Sequence, residues 1–270
     1  MKLLNIDKDL LLKPLQMVSG IVERRHTLPI LSNVYLKATN NRLEIIATDL
    51  EIQIATSAAL DQQYAGETLT ISARKTLDIL RALPDKTKIT LEASENRAIL
   101  KSGKSKFNLQ TLPSSDFPLI APKENATVQT VTLEQTVLKN MLQKVQFAMA
   151  QQDIRYYLNG LLLVLDGDTM RLVATDGHRL SHASTKLNIN AASREVILPR
   201  KTVLELVKLL GDDNETVDLE ITDTQITIKF GNVTLVSKLV DGKFPDYKRV
   251  IPTELKNTLI LGRETLQGAL

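Results

Sequence analysis

The run Arg171-Leu-Val-Ala-Thr-Asp-Gly-His-Arg-Leu180 sets a carboxylate, a glycine, an imidazole and a guanidinium side by side. Asp176 and His178 could serve a small substrate as an acid and base pair. A hydrolase triad would also need a nucleophile on a strained elbow, and the chain has no cysteine and no Gly-x-Ser-x-Gly. A metal site would want more ligands than His26, His178 and His182 provide. Neither a Walker loop nor a dinucleotide fingerprint is present. No cofactor and no metal is therefore expected. Asp176-Gly177 is also a favoured hairpin turn, one that would display His178, Arg179 and Leu180 as the strand leaves it.

An earlier stretch, Arg42-Leu-Glu-Ile-Ile-Ala-Thr-Asp-Leu50, repeats the Ala-Thr-Asp core without the glycine, histidine or arginine. Thr48 and Thr175 are 127 residues apart. The same displacement carries Leu11, Leu15 and Val18, apolar positions at helical spacing, onto Leu138, Leu142 and Val145. Arg74-Lys75-Thr76 recurs as Arg200-Lys201-Thr202 at 126, Gly103 as Gly231 at 128, and Phe117-Pro118 as Phe244-Pro245 at 127. So steady a displacement marks a duplicated domain, not the short period of a solenoid. Ala-Thr-Asp then belongs to the fold, and Gly177-His178-Arg179 to whatever the second copy alone does.

The elements that must position these residues follow one programme twice. Asp7 can cap a helix through Leu11, Leu15, Val18 and Val22, with Pro14 expected to kink it. Short strands are expected at 32–38, 43–48, 51–56 and 68–72. Ser72 then caps a helix stopped by Pro84, and three strands follow at 88–93, 98–102 and 106–111. Twelve strand-like runs and four helices in two equal parts suggest α+β domains, with antiparallel strands burying one face under paired helices. The expected divisions are 1–128, 129–252 and a remainder, 253–270. In that remainder Leu259-Ile-Leu-Gly-Arg-Glu-Thr-Leu266 matches Val131-Thr-Leu-Glu-Gln-Thr-Val-Leu138 as the start of a third copy, which implies a piece of a longer protein.

With 43% hydrophobic residues, 270 residues can bury one or two real cores, and Leu, Ile and Val must fill them because aromatics make up only 4%. No apolar run approaches the roughly 20 residues a spanning helix needs, and with no cysteine a cytoplasmic protein away from membranes is expected. The 34 basic and 31 acidic residues nearly balance. Nucleic-acid binding would therefore rest on where the cations lie. Lys8, Lys13, Arg24, Arg25, Arg74, Lys75, Arg81, Lys139, Lys144, Arg200, Lys201 and Lys208 all fall on or at the ends of expected helices.

Thr27-Leu-Pro-Ile-Leu31, Ala47-Thr-Asp-Leu50, Ala73-Arg-Lys75, Gln152-Asp-Ile-Arg-Tyr-Tyr-Leu-Asn-Gly160, Ala174-Thr-Asp-Gly-His-Arg-Leu180, Pro199-Arg-Lys201 and Lys238-Leu-Val-Asp-Gly-Lys-Phe-Pro-Asp-Tyr247 together resemble the bacterial β sliding clamp, the processivity subunit of DNA polymerase III. The resemblance spans the whole chain in order. It implies the DNA-clamp fold and a ring of two three-domain subunits around duplex DNA, with helices lining the hole and sheets forming the rim. A ring held by topology needs only a wall that attracts phosphates, which scattered cations supply.

The resemblance also implies site residues. Arg24 and Arg25, otherwise a solvated helix end, match DNA-facing positions, as do Gln152, Tyr156 and Tyr157, which could equally be a strand edge with one ring buried. Lys201 joins them, although Arg200 and Lys201 read equally well as first-turn surface residues. Leu158, Thr175, Gly177, His178, Arg179, Leu180, Pro245, Arg249 and Val250 match a cleft for peptides of the polymerase α subunit, the clamp loader and other partners. Aliphatic walls would take a hydrophobic anchor there, and His and Arg would offer donors to an extended chain. Lys75, Ile79, Phe107 and Leu109 match a ring-closing contact whose other side lies in a third domain. The full-length homodimer ring is thus not expected to close with these 270 residues alone, and the cleft should bind more weakly without its third-domain wall. Two readings from other classes stand beside this one: a small-substrate enzyme using Asp176 and His178, and an open-form DNA-binding protein.

Overall fold

A computed structural model describes the chain apart from residues 1, 24–26, 95–96, 122–127, 253 and 255, together with the side chains of residues 2 and 3. Arg24, Arg25 and His26 therefore lie outside the described residues. The first half runs β1 (Lys2–Asp7), α1 (Lys8–Val18), β2 (Asn33–Thr48), β3 (Ile52–Ser72), α2 (Ala73–Ala82), β4 (Lys88–Ser94), β5 (Arg97–Ser102) and β6 (Ser105–Gln110). The second half repeats that order as β7 (Gln129–Glu134), α3 (Gln135–Val145), β8 (Gly160–Thr175), β9 (Leu180–Pro199), α4 (Arg200–Leu209), β10 (Thr216–Ile221), β11 (Gln225–Phe230) and β12 (Val233–Lys238). A further helix, α5 (Arg263–Ala269), begins where a third copy of α1 would begin, and none of its residues is buried.

Each half builds a four-stranded antiparallel sheet and a long two-stranded ribbon. In the first half the sheet order is β1-β4-β5-β6, and the ribbon is β2-β3. In the second, β7-β10-β11-β12 fuses with β2-β3 into one six-stranded sheet, leaving β8-β9 as a separate ribbon. The seam is antiparallel pairing of β12 with β3, with Val233 opposite Thr56, Leu235 opposite Ile54 and Ser237 opposite Ile52. Period-two alternation builds these strands: Val217, Leu219 and Ile221 face inward on β10, and Ile226, Ile228 and Phe230 on β11. The helices close the same core with one stripe each, Leu11, Leu15 and Val18 on α1 and Leu138, Leu142 and Val145 on α3, all essentially inaccessible. Burying each such side chain contributes about 1.5–3 kcal/mol, and one continuous core runs through both halves.

Several local expectations need correction. The separate runs at 32–38 and 43–48 are one strand, β2, and those at 51–56 and 68–72 are one strand, β3. Polar Asn40 and Asn41 do not end the ribbon. The register shifts around them, and Asn40 takes φ 52°, so a bulge absorbs what a turn would have done. Asp7 occupies the N-cap of α1 without a side-chain cap bond. The first helical amide, Lys8, donates instead to Thr87 O at 2.8 Å. Pro14 does not interrupt α1, because its ring is buried with the apolar stripe and packing carries the helix past the missing N–H. Ser72 does cap α2, its hydroxyl accepting from Lys75 N at 3.5 Å.

Candidate functional site

The Ala-Thr-Asp core folds the same way in both halves. In the first, Thr48 Oγ1 donates to Ile52 O at 3.0 Å, while Glu51 N and Ile52 N each donate to Asp49 Oδ1 at 2.9 Å. In the second, Thr175 Oγ1 donates to Arg179 O at 2.7 Å, and His178 N and Arg179 N donate to Asp176 Oδ1 at 2.9 and 3.0 Å. Since Thr175 pairs with Leu180, four residues form the loop, not the two of a tight Asp-Gly hairpin. Its second position has a positive φ: 79° at Leu50 and 90° at Gly177. Backbone donation from Arg179 and then His178 holds the Asp176 carboxyl below its ordinary pKa, and the Arg179 side chain adds an ion pair at 2.9 Å. Asp176 is thus a structural acceptor with both carboxylate oxygens engaged, a poor partner for proton transfer.

The preceding loop is tied to this turn by Arg155, which the sequence reading passed over. Asp153 accepts from Arg155 N at 2.8 Å and from its Nε and Nη2 at 3.0 and 2.9 Å. Those bonds, side chain first, hold the Asp153 carboxyl at about 2. The same guanidinium donates to Asp176 O at 3.4 Å and lies against Gly177, where an added Cβ would meet Nη2 at 3.2 Å. Gln152 and Tyr156 project outward from this loop. Tyr157 is half-buried against the cluster containing Leu158, at 5.9 Å and edge-on to the Tyr156 ring.

Between the two loops and residues 245–250 opens a cleft of about 390 Å³. Leu158, Thr175, Gly177, His178, Arg179, Leu180, Pro245 and Val250 line it, together with Arg155, Asp246 and Tyr247, which sequence reasoning missed. Arg249 stands outside the lining, exposed and paired with Asp246 at 2.9 Å. The floor is firm because Leu158 and Tyr247 belong to a satellite core with Leu162, Val173, Ile197 and Phe244. Tyr247 is further fixed by His182, stacked on it at 6.2 Å, whose pKa burial and then Arg171 push down. A larger hollow, about 490 Å³, lies beside Val240–Phe244, but of the residues expected in the peptide cleft it contains none, and Glu195, Asp223, Asp241 and Lys243 are among its lining.

Comparison with known proteins decides what carries this cleft. Residues 1–121 match the family model for the DNA polymerase III beta subunit, N-terminal domain, and residues 132–246 match that for its central domain. A beta sliding clamp of Vibrio cholerae is 45% identical over 98% of this chain and 72% of its own length. That of Escherichia coli K12 is 40% identical over the same shares. The chain belongs to the β sliding clamp family. In structure it superposes with TM-score 0.87 and 42% identity on a sliding clamp of Pseudomonas aeruginosa bound to griselimycin, over 93% of this chain and 68% of that one.

It is a DNA sliding clamp of replication, and the family acts as a non-catalytic processivity factor of DNA polymerase III. DNA and a DNA polymerase are therefore its partners. The enzyme reading built on Asp176 and His178 and the open-form DNA-binding reading are not favoured. Among the described residues, no helix is long and apolar enough to cross a membrane.

The clamp does not leave all its helix cations free for phosphate. Lys8 is 3% exposed and donates to Leu83 O and Asp85 Oδ1, both at 3.0 Å. Lys139 pairs with Asp212 at 2.7 Å and Lys208 with Glu205 at 2.7 Å. Lys13, Arg81 and Lys144 stand exposed. Lys201 crosses between the halves: Nζ donates to Asp49 Oδ2, to Glu23 Oε1 at 2.9 Å and to Ile21 O at 3.3 Å. Burial opposes its charge, but the bonds to Asp49 and Glu23 outweigh burial and raise its pKa. On the ring-closing side, Lys75 Nζ donates to Asn108 O at 3.1 Å, and Ile79 and Phe107 are half-buried. Leu109 is 1% exposed inside the main core, so β6 offers its backbone there and not that side chain.

Proposed function

We propose that the clamp binds short peptide segments of the polymerase α subunit, the clamp loader and other replication proteins in the cleft between Leu158, Leu180, Pro245 and Val250. The observation that carries this is the second copy's turn: an Ala-Thr-Asp scaffold common to both halves, with Gly177, His178 and Arg179 added at the rim of an apolar cleft. An extended peptide would seat an aliphatic anchor over Leu158 and Tyr247 and accept hydrogen bonds from the His178 and Arg179 side chains. Arg249, outside the lining but at its edge, supplies positive charge to flanking acidic residues.

Duplex DNA would meet Gln152 and Tyr156 at the exposed loop, with Tyr157 steadying Tyr156 from behind. Arg24 and Arg25 belong to the same surface on the family resemblance. Lys201 we assign to the joint between the halves, because three acceptors already occupy its ammonium. Lys75, Ile79, Phe107 and the β6 edge around Leu109 form one half of a ring-closing contact, and a homodimer ring uses a third repeat for the other. The divisions 1–128, 129–252 and 253–270 follow the repeat, and replication places the clamp in the cytoplasm.

The test is a titration of a polymerase-derived peptide into the chain and into His178→Ala and Leu180→Asp variants. Weaker binding by both, with unchanged melting temperature, supports the cleft. Binding unchanged in Leu180→Asp rejects it.

A further inference from the structure

The second copy opens a hollow where the first is closed. In the first, the strap after β6 is fastened to the ribbon. Thr68 Oγ1 and Ser114 Oγ share a hydrogen bond at 2.8 Å, and Thr70 Oγ1 donates to Leu112 O at 2.7 Å while accepting from Leu112 N at 3.1 Å. The Tyr35 and Phe117 rings meet above them at 5.6 Å. A displacement of 127 residues undoes each fastening. Thr68 and Ser114 become Glu195 and Asp241, two carboxylates that repel, and Thr70 becomes Ile197, which has no hydroxyl. Tyr35 becomes the shorter Leu162, in one cluster with Phe244. The strap after β12 is held only at its start, where Leu239 N donates to Thr224 O and Val240 N to Ile197 O, both at 2.9 Å. Beyond those bonds stands the hollow of about 490 Å³.

A following repeat does not cover this face. The first copy has its successor in place, yet Leu112, Ser115 and Asp116, the counterparts of Leu239, Gly242 and Lys243, remain exposed, Leu112 at 39%. The floor of the hollow is apolar, with Leu162 and Ile197 each 3% exposed and Phe244 7%. Among the described residues, Glu195, Asp223 and Asp241 share the lining with one base, Lys243. Arg194 pairs with Asp223 at 3.3 Å, so the charge left over lies at Glu195 and Asp241.

We propose that this hollow is a second docking point for the partner peptide and takes an arginine or lysine that flanks the anchor held in the cleft. The proposal rests on the cleft reading under Proposed function and extends it across the strap. Phe244 lines the hollow, the adjacent Pro245 lines the cleft, and one satellite core floors both. A flank of about four extended residues spans roughly 13 Å, enough to cross from one to the other. The aliphatic stem of a basic side chain covers Ile197 and Phe244, and its head group lies between Glu195 and Asp241. There it does for the second copy what the Thr68–Ser114 hydrogen bond does for the first. The formal charge of the whole chain is +3, so attraction of a basic flank has to be local to this rim.

The test is a fluorescence titration of the 270-residue chain with related peptides: the aliphatic anchor alone, the anchor extended at either end by a flank of about four residues carrying arginine, and the same flank carrying glutamate. The arginine flank is expected to tighten binding at least threefold at one end, an advantage that shrinks with added salt, and the glutamate flank to give none. Glu195→Gln and Asp241→Asn, both at exposed positions, should each lose the advantage while binding the anchor alone as the wild type does, and circular dichroism checks that both fold. An arginine flank that adds nothing at either end, or an advantage that persists in both variants, overturns the proposal and leaves the cleft reading standing. A chain that does not bind the anchor alone rejects the cleft reading, and the proposal falls with it.

Discussion

Lys201 on α4 donates to the Asp49 carboxylate in the turn after β2, so a cation in one half of the clamp closes a loop in the other. Asp49 already accepts two backbone amides, and its side chain is only 8% exposed. The cation offsets the cost of burying that charge.

Replacing Lys201 with Met should lower unfolding stability by about 1–2 kcal/mol after discounting for its partial exposure, read from urea denaturation. Lys201 has a raised folded pKa, so its contribution is complete below about 10.5, the unfolded value, and fades as pH rises through the folded pKa. The difference between wild type and variant should shrink above that pH. The salt dependence of DNA affinity should not change, whereas a lysine on phosphate would alter the logarithmic slope by about 0.9.

Gly177→Ala tests the turn. Its φ of 90° and the Arg155 guanidinium beside it leave no relaxed place for a methyl group. A cost of about 1–2 kcal/mol is expected, with weaker peptide binding. Leu50 holds the equivalent conformation because its side chain packs near Phe117 and Ile46, a compensation that Gly177, at the exposed cleft rim, has no counterpart for.

The Asp153 carboxyl should titrate at about 2 in a carbon-13 experiment, against an ordinary value of 3.8. The folded pKa is depressed, so the stabilisation is complete above the ordinary value and lost as pH falls through about 2. In Asp153→Asn the ionic clasp on Arg155 is gone, and Arg155 should detach from Asp176 O. A crystal structure of the variant with Arg155 unmoved would refute that coupling.

Tyr156→Ala should reduce DNA affinity by a factor of about 2–10, the worth of one ordinary hydrogen bond, without altering its salt slope. Tyr156 carries no charge, so no counterion is released at its contact.

Much of this fold could be read from spacing, because the repeat fixes element order wherever apolar positions recur, as from Leu11 to Leu138 and from Leu15 to Leu142. Strand ends were less legible. Asn40 and Asn41 carry a turn composition, yet the ribbon runs past them on cross-strand pairing that no local window contains. The turn stood out at Gly177–Arg179, where the second copy differs from the first, whereas Pro245 has the same residue, Pro118, at its counterpart and rested on the family resemblance alone. Arg155 was not legible, because its role comes from Asp153 and from the backbone of Asp176, 21 residues on. Lys201 was misleading for a related reason: its partners Asp49 and Glu23 are 152 and 178 residues away, and only the β12–β3 seam brings them together.

The central claim is that the second copy's turn serves recognition. Its most direct test is backbone NMR of the clamp during titration with a polymerase-derived peptide carrying an aliphatic anchor. Shifts that saturate together at Thr175–Leu180, Leu158 and Pro245–Val250 are predicted, with Ala47–Ile52 unmoved. Saturable shifts confined to other surfaces, or an equal response at Ala47–Ile52, would contradict it.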